Sequence, residues 1–224
     1  MKDIIDAVAI DGPAGSGKST VARNVAAARG FLYVDTGAMY RALAHKALTL
    51  GLDLTNEPAL LDMAHATKLE FDASGTHIIC DGTDVSQPIR TTLVTNNVKF
   101  IARSQPVRAH LVQMQQMMGE QRPVVMEGRD ITTVVLPHAR WKFFLTASAE
   151  ARAKRRHGEL LAAGSDAAYA SVLADINARD ASDYQNGPLK NARDLALAGR
   201  GIVFLDTSAM TPDGVVAAVL ERMN

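Results

Sequence analysis

Residues 12–19 read Gly12-Pro13-Ala14-Gly15-Ser16-Gly17-Lys18-Ser19, followed by Thr20. Two outer glycines, a lysine and a hydroxyl at the spacing Gly-x-x-x-x-Gly-Lys-Ser make a phosphate cradle. Gly12, Gly15 and Gly17 permit left-handed backbone and keep any Cβ away from an approaching phosphate oxygen. Successive main-chain N–H groups then form an anion nest, reinforced by the positive end of the helix that follows. Lys18 offers an ammonium to the terminal phosphates, and the Ser19 hydroxyl suits Mg2+. The apolar run Val8-Ala9-Ile10 precedes the loop, and Val21, Val25 and Ala28 fall at helical spacing after it. Strand, loop and helix are therefore all in place for a nucleoside triphosphate site over residues 12–20.

Three other stretches set cations beside carboxylates. In Asp35-Thr36-Gly37-Ala38-Met39-Tyr40-Arg41 a strand ends and a helix begins, with Thr36 able to cap it. Helix amides and the Arg41 guanidinium make a second anion site, although a capped helix with a surface arginine has the same pattern. Gly128-Arg129-Asp130 follows the apolar run Val124-Val125-Met126. It reads either as a turn with an internal salt bridge, or as Arg129 on a phosphoryl group and Asp130 on a base-edge amino group. The series Arg152, Arg155, Arg156 and then Arg179 is either a solvated helix face or a mobile lid that neutralises charge on a transferred phosphoryl group.

The elements that must hold these groups alternate. Strands are expected over 4–10, 31–34, 124–126, 141–145 and 201–206. Helices are expected over 18–29, 38–50, 91–104, 107–121, 149–163, about 166–180 and 189–198, and from Pro212 with Thr211 as its cap. Pro106 separates the fourth and third of these central helices from one another. Such alternation implies an α/β domain with a five-stranded parallel sheet and helices on both faces. Ligands bind at the carboxyl ends of such strands. Asp11, Asp35, Glu127 with Arg129 and Asp130, and Asp206 all stand there, on the same rim as the glycine-rich loop. Residues 52–90 break the alternation. A short helix after Pro58 precedes short strands at 68–72 and 76–81, with a third at Val85-Ser86. This antiparallel insert is either an edge hairpin or a substrate-facing element.

Composition narrows the class. The chain has 224 residues, 47% hydrophobic and 21% charged, with 24 basic and 24 acidic side chains and a formal net charge of +0. That length suits one large domain with inserts, and the balance argues against a nucleic-acid polymer held by general charge. Cys80 is the single cysteine, which excludes a disulfide framework and reads as a small core residue. The six histidines lack metal-ligand spacing. Met114, Met117 and Met118 read as helix packing. The start, Met1-Lys2-Asp3-Ile4-Ile5-Asp6, lacks the shape of a signal peptide, and no apolar run reaches membrane length. A soluble, cytoplasmic monomer with no membrane partner is expected.

Over nearly its whole length the sequence resembles the bacterial cytidylate kinase family. The resemblance rests on Ile10 to Thr20, Asp35 to Arg41, Asp84-Val85-Ser86 with Ile89-Arg90, and Pro106-Val107-Arg108. It continues through Gly128-Arg129-Asp130 with Thr133-Val134-Val135, and Arg179-Asp180-x-x-Asp183 with Pro188-Leu189. It implies a P-loop NTPase fold whose core spans 1–51, 91–148 and 190–224. Residues 52–90 would be the nucleoside-monophosphate-binding insert, and 149–189 a short helical lid with the helix after it. The implied reaction moves the γ-phosphoryl group of ATP, with Mg2+, to CMP or dCMP. By position, Gly12, Pro13, Ala14, Gly15, Ser16, Gly17, Lys18, Ser19 and Thr20 would hold ATP. Thr36, Tyr40 and Arg41 would lie at the acceptor phosphate, and Arg108 and Asp130 would read the cytosine. Arg129 and Arg179 would bridge acceptor and transferred phosphates, Asp183 with Arg179 would hold the ribose, and Arg155 and Arg156 would be lid arginines beside Lys18 in catalysis.

Three single positions and one short stretch depart from the family's pattern. Lys99 stands where a serine is usual, Thr132 where a glycine is usual, and Gln116 where an arginine is common. Tyr184-Gln185-Asn186 stands where another phosphate-binding arginine is expected, and Lys99 or Lys190 are the candidates to supply that charge. The alternatives are a kinase for another nucleoside monophosphate and a nucleotide-dependent switch. The second anion site and the missing Asn-Lys-x-Asp guanine-reading motif speak against the switch.

Overall fold

The computed structural model of the chain describes residues 4–162, 164–185 and 187–224. Its first half runs β1 (Ile5–Asp11), α1 (Lys18–Arg29), β2 (Leu32–Asp35), α2 (Thr36–Thr49) and α3 (Glu57–His65). Then come β3 (Leu69–Phe71), β4 (Ile78–Cys80), β5 (Thr83–Asp84) and a 3-10 turn at Pro88–Arg90. The second half runs α4 (Thr92–Arg103), α5 (Gln105–Gln121), β6 (Val124–Gly128), a π-turn at Ile131–Val135 and β7 (Ala139–Thr146). It finishes with α6 (Ala149–Ala162), α7 (Tyr169–Gln185), α8 (Leu189–Leu197), β8 (Val203–Asp206) and α9 (Pro212–Glu221).

Five strands form one parallel sheet in the order β2-β6-β1-β7-β8. The pleat of β1 divides the core. Val8 and Ile10 pack with Val21, Val25, Val215 and Val219 of α1 and α9. Ala7 and Ala9 face the other way, against Ile131, Val135 and Leu136. Asp11, Asp35 and Glu127 sit at or next to the carboxyl ends of three adjacent strands, paired in register as Asp11 with Gly128 and Asp35 with Glu127. That places the sheet's charged punctuation on one rim.

The insert is a three-stranded antiparallel sheet, β3-β4-β5. Leu69, Ile78 and Cys80 share one buried cluster with Met39, Leu43 and Ala47 of α2, so the insert is packed onto the core. Its tip needs a glycine: Gly75 has φ +73°, and a Cβ there would lie 2.0 Å from the Tyr33 carbonyl oxygen.

Local chemistry moved several boundaries. Asp35, not Thr36, caps α2, its carboxylate accepting from the Ala38 N–H at 3.0 Å. The third insert strand falls at Thr83–Asp84 because the Ser86 hydroxyl takes the Ile78 N–H at 2.9 Å and bonds Asp84. Pro106 lies in the first turn of α5, where its missing N–H costs nothing, and the break falls at Ser104. Helix α7 runs past Asp180 to Gln185 because Asp180 and Asp183 are held by ion pairs from distant elements. Thr211 caps α9 through the Gly214 N–H at 3.2 Å. Met114 and Met118 pack against the core, but Met117 is 56% exposed and is not packing. Asn186 and Met1 to Asp3 lie outside the described residues. Among the described residues no helix is long and apolar enough to cross a membrane.

Candidate active site

The loop between β1 and α1 is built as its glycines require. Gly12, Gly15 and Gly17 have φ of 156°, 74° and 86°, and a Cβ on Gly12 would lie 2.0 Å from the Leu145 carbonyl oxygen. Lys18 is buried and donates to the Pro13 carbonyl at 2.8 Å. Burial first, then the nearby Arg129 guanidinium, bring its ammonium down to about 7. Ser16 Oγ is buried inside the loop and has no partner among the described residues, a spare hydroxyl where an anion would sit.

Ser19 does not stand alone. Its hydroxyl donates to Glu127 Oε1 at 2.5 Å, and the Tyr33 hydroxyl approaches the same oxygen at 3.3 Å. Burial, then the neighbouring Asp35 carboxylate, push the Glu127 carboxyl upward. Thr36 uses its hydroxyl on the Glu127 carbonyl at 2.8 Å and so fixes strand β6. Asp35 also receives Arg90 at 3.2 Å.

The cations converge. Arg129 Nε donates to Asp183 at 3.0 Å, joining the end of β6 to α7. Arg179 is exposed as a residue, yet crowding around its guanidinium, and then Arg129, bring it down to about 10. Both guanidiniums also bear on Lys18. Arg41 donates to Thr95 Oγ1 at 2.8 Å and is lowered by burial, then by Arg90, with smaller contributions from Arg129 and Arg156. Lys18, Arg129, Arg179 and Arg41 thus form one cationic field at the sheet's rim.

Beside it lies a polar pocket. Arg108 pairs with Asp130, and burial raises the Asp130 carboxyl. Tyr40 is pushed up to about 12 by burial, with Arg108 and Asp130 as its charged neighbours. The structure therefore brings together Tyr40, Arg108 and Asp130 on one side, and Arg41, Arg129, Arg179 and Asp183 on the other.

The basic run of α6 divides into three roles. Arg152 is 3% exposed and bonded on every side. Arg155 forks onto the Thr207 carbonyl at 2.5 Å and hydroxyl at 3.1 Å, alongside Gly17. Arg156 is exposed and pairs with Glu159 at 3.0 Å.

The Cytidylate kinase family model matches residues 8–224. This chain belongs to the cytidylate kinase family. The cytidylate kinase of Desulfitobacterium hafniense (strain Y51) is 46% identical over 220 residues, covering 97% of this chain and 92% of that protein. The cytidylate kinase of Bacillus subtilis (strain 168) is 41% identical over 220 residues, with 96% and 95% covered. Among solved structures, a gluconokinase from Sinorhizobium meliloti 1021 matches with a TM-score of 0.50 at 16% identity, covering 99% of this chain and 95% of that one. That likeness is one of fold, the P-loop α/β fold.

Within the cytidylate kinase family, this chain's departures have physical readings. The Thr132 hydroxyl donates to Asp11 at 2.6 Å, and the Ile131 and Thr132 N–H groups donate to the same carboxylate at 2.8 and 2.9 Å. Asp11 is fully buried, and burial pushes it up to about 6 against those three bonds. Gln116 bonds the Val134 carbonyl at 3.4 Å. Lys190 is held by Asp194 at 2.6 Å, whereas Lys99 is exposed on α4, one turn beyond the Thr95 that holds Arg41. The sequence places Asp11 and Glu127 on the rim that binds ligands but assigns no role to them or to Tyr33. Glu127 and Asp11 were visible as charges at strand ends, but their partners lie more than a hundred positions away.

Proposed function

We propose that this chain transfers the γ-phosphoryl group of ATP to CMP or dCMP, giving ADP and CDP or dCDP. The observation that carries the reading is the position of Arg129. It joins Asp183 on one side and bears on the loop lysine, Lys18, on the other. Two phosphate chains laid end to end need cations at that junction.

Each group has work to do. The loop amides, Lys18 and the spare Ser16 hydroxyl hold the donor phosphates. Asp130 accepts from the exocyclic amino group of cytosine, and Arg108 donates to its O2 carbonyl oxygen and its N3 ring nitrogen. Uracil presents a carbonyl where that amino group stands, so Asp130 repels it. Tyr40 and Arg41 lie at the acceptor phosphate, and Asp183 at the ribose. Arg129 and Arg179 screen the phosphoryl group in flight, with Arg155 and Arg156 completing the lid side. No strong general base is required, because positioning and charge neutralisation dominate phosphoryl transfer.

Mg2+ fits the donor set. Ser19 and Glu127 bring hard oxygens together beside Asp35. Among the described residues no cluster of three or more His, Cys, Asp and Glu side chains forms a metal cage. Mg2+ usually takes one or two protein oxygens and completes its shell with phosphates and water. When bound it would neutralise charge on the donor phosphates. Residues 52–90 then serve as the monophosphate-binding insert and 149–189 as the lid and following helix. The working form is a cytoplasmic monomer acting on free nucleotides.

The test is ADP release from ATP alone and with CMP, dCMP, UMP or AMP. Turnover should require an acceptor and favour CMP and dCMP. Equal ADP release without acceptor, or preference for UMP or AMP, contradicts the reading.

A further inference from the structure

Arg152 lies in a run of basic residues that reads as a solvated face or a lid. Its actual environment is different. Its Nε donates to the Ala147 carbonyl at 2.9 Å, and Nη1 donates to the Ala14 carbonyl at 3.1 Å. The same Nη1 reaches Asp180 at 2.9 Å, and Nη2 takes the other carboxylate oxygen of Asp180. One guanidinium thus ties together the phosphate loop, the connection from β7 to α6, and helix α7. The loop also leaves little room beside Arg152: a Cβ on Gly15 would lie 3.1 Å from Arg152 Cβ and 3.4 Å from its carbonyl oxygen.

Helix α7 explains why that tie matters. Its buried apolar residues, Val172 and Ile176, pack against Ala153 and end there. Beyond them, the half-buried Tyr184 and two ion pairs hold the helix, Asp180 to Arg152 and Asp183 to Arg129. Arg179 and Asp183 are four residues apart and share a face. Asp180 points about 100° away around the helix axis. The Arg152–Asp180 pair therefore sets the rotation of α7, and that rotation aims Arg179 and Asp183 at the site. Because the same guanidinium grips Ala14, the aim is referenced to the phosphate loop itself.

We propose that Arg152 is a positioning residue: together with Asp180 it locks Arg179 in register with the phosphate loop, and it does not contact the phosphates. The proposal rests on Arg179 serving the transferred phosphoryl group, as set out above. A misplacement of about 1 Å in such a group costs on the order of a hundred-fold in rate. Lysine keeps the charge of Arg152 but has one donor centre, so it cannot hold Ala14, Ala147 and both Asp180 oxygens together.

The experiment is a double-mutant cycle with Arg152→Lys and Arg179→Ala, with Asp180→Asn as a second route to the same break should Arg152→Lys fail to fold. Rates are normalised to folded enzyme, and kcat and KM are measured for ATP and CMP. Arg152→Lys and Asp180→Asn should each lower kcat about ten- to a hundred-fold. KM for both substrates should move far less. In the Arg179→Ala background neither change should lower kcat further, because the group they aim is gone. A merely structural role would lower thermal stability, leave kcat per folded molecule intact, and overturn the proposal. So would losses that multiply fully in the Arg179→Ala background. Arg179→Ala at the wild-type rate would overturn the site reading along with the proposal, whereas its loss beside a wild-type rate in Arg152→Lys and Asp180→Asn overturns the proposal alone.

Discussion

Ser19 Oγ and Glu127 Oε1 stand 2.5 Å apart, though 108 positions separate them in the chain. The contact joins the first turn of α1 to β6, which lies beside β1 in the sheet. Glu127→Gln keeps the shape and removes the charge. The affinity of the enzyme–ADP complex for Mn2+, read by electron paramagnetic resonance, should fall about ten- to a hundred-fold. Unchanged Mn2+ affinity would separate Glu127 from the metal.

Lys18, lowered to about 7, is mostly neutral in the free enzyme at pH 8. Donor phosphates favour its ammonium and raise that value again. ATP binding at pH 8 should therefore take up a proton, and binding should weaken as pH rises above 7. Calorimetry in buffers of different ionisation enthalpy reads the uptake directly. Lys18→Arg, which stays charged throughout, should bind without it. A buffer-independent enthalpy for the wild-type protein would contradict this.

Thr132 sharpens the chemistry of Asp11. The folded value of Asp11, about 6, lies above its ordinary 3.8. The folded state therefore holds that proton more tightly, and the group's contribution to stability is full below about pH 4 and lost as pH rises through 6. Thr132→Val removes a donor to the ionised form. It should cost about 1.5–3 kcal/mol at pH 8 and clearly less at pH 5, measured by urea unfolding at both pH values. Equal losses would show that Asp11 does not titrate in this range.

We propose that Lys99, exposed with its ammonium over the Phe100 ring, compensates for the arginine missing after Asp183. It lies one turn past Thr95, whose hydroxyl holds Arg41, while Lys190 is engaged with Asp194. Lys99→Ala should raise KM for CMP well beyond any change in KM for ATP. An unchanged KM for CMP would remove Lys99 from the site.

Much of this was legible in the sequence because it is local. The phosphate loop is written in consecutive residues, and the 2-residue and 3.6-residue periods of apolar side chains place the strands and helices around it. Gly30 marks a helix end through its left-handed backbone, and Thr211 marks a helix start through its hydroxyl on the Gly214 N–H. The remainder depends on contacts between distant positions. Nothing near Arg152 distinguishes it from Arg156, yet one is buried on Asp180 and the other exposed on Glu159. The apolar periodicity ends helix α7 near residue 180 for the same reason, since its last turns are polar and are held by Arg152 and Arg129. The cap of α2 fell to Asp35 because the neighbouring Thr36 hydroxyl was already taken by the Glu127 carbonyl.

In the function proposed above, Lys18, Arg41, Arg129 and Arg179, which bear on one another electrostatically, hold two nucleotides with their phosphates facing across one cleft. The direct measurement is calorimetric titration with adenosine and cytidine joined 5′ to 5′ through five phosphates. One molecule filling both halves should bind on the order of a hundred-fold or more tighter than ATP or CMP alone. Each of Arg41→Ala, Arg129→Ala and Arg179→Ala should erase most of that gain. Binding no tighter than that of ATP, or a gain untouched by those three changes, would contradict the account.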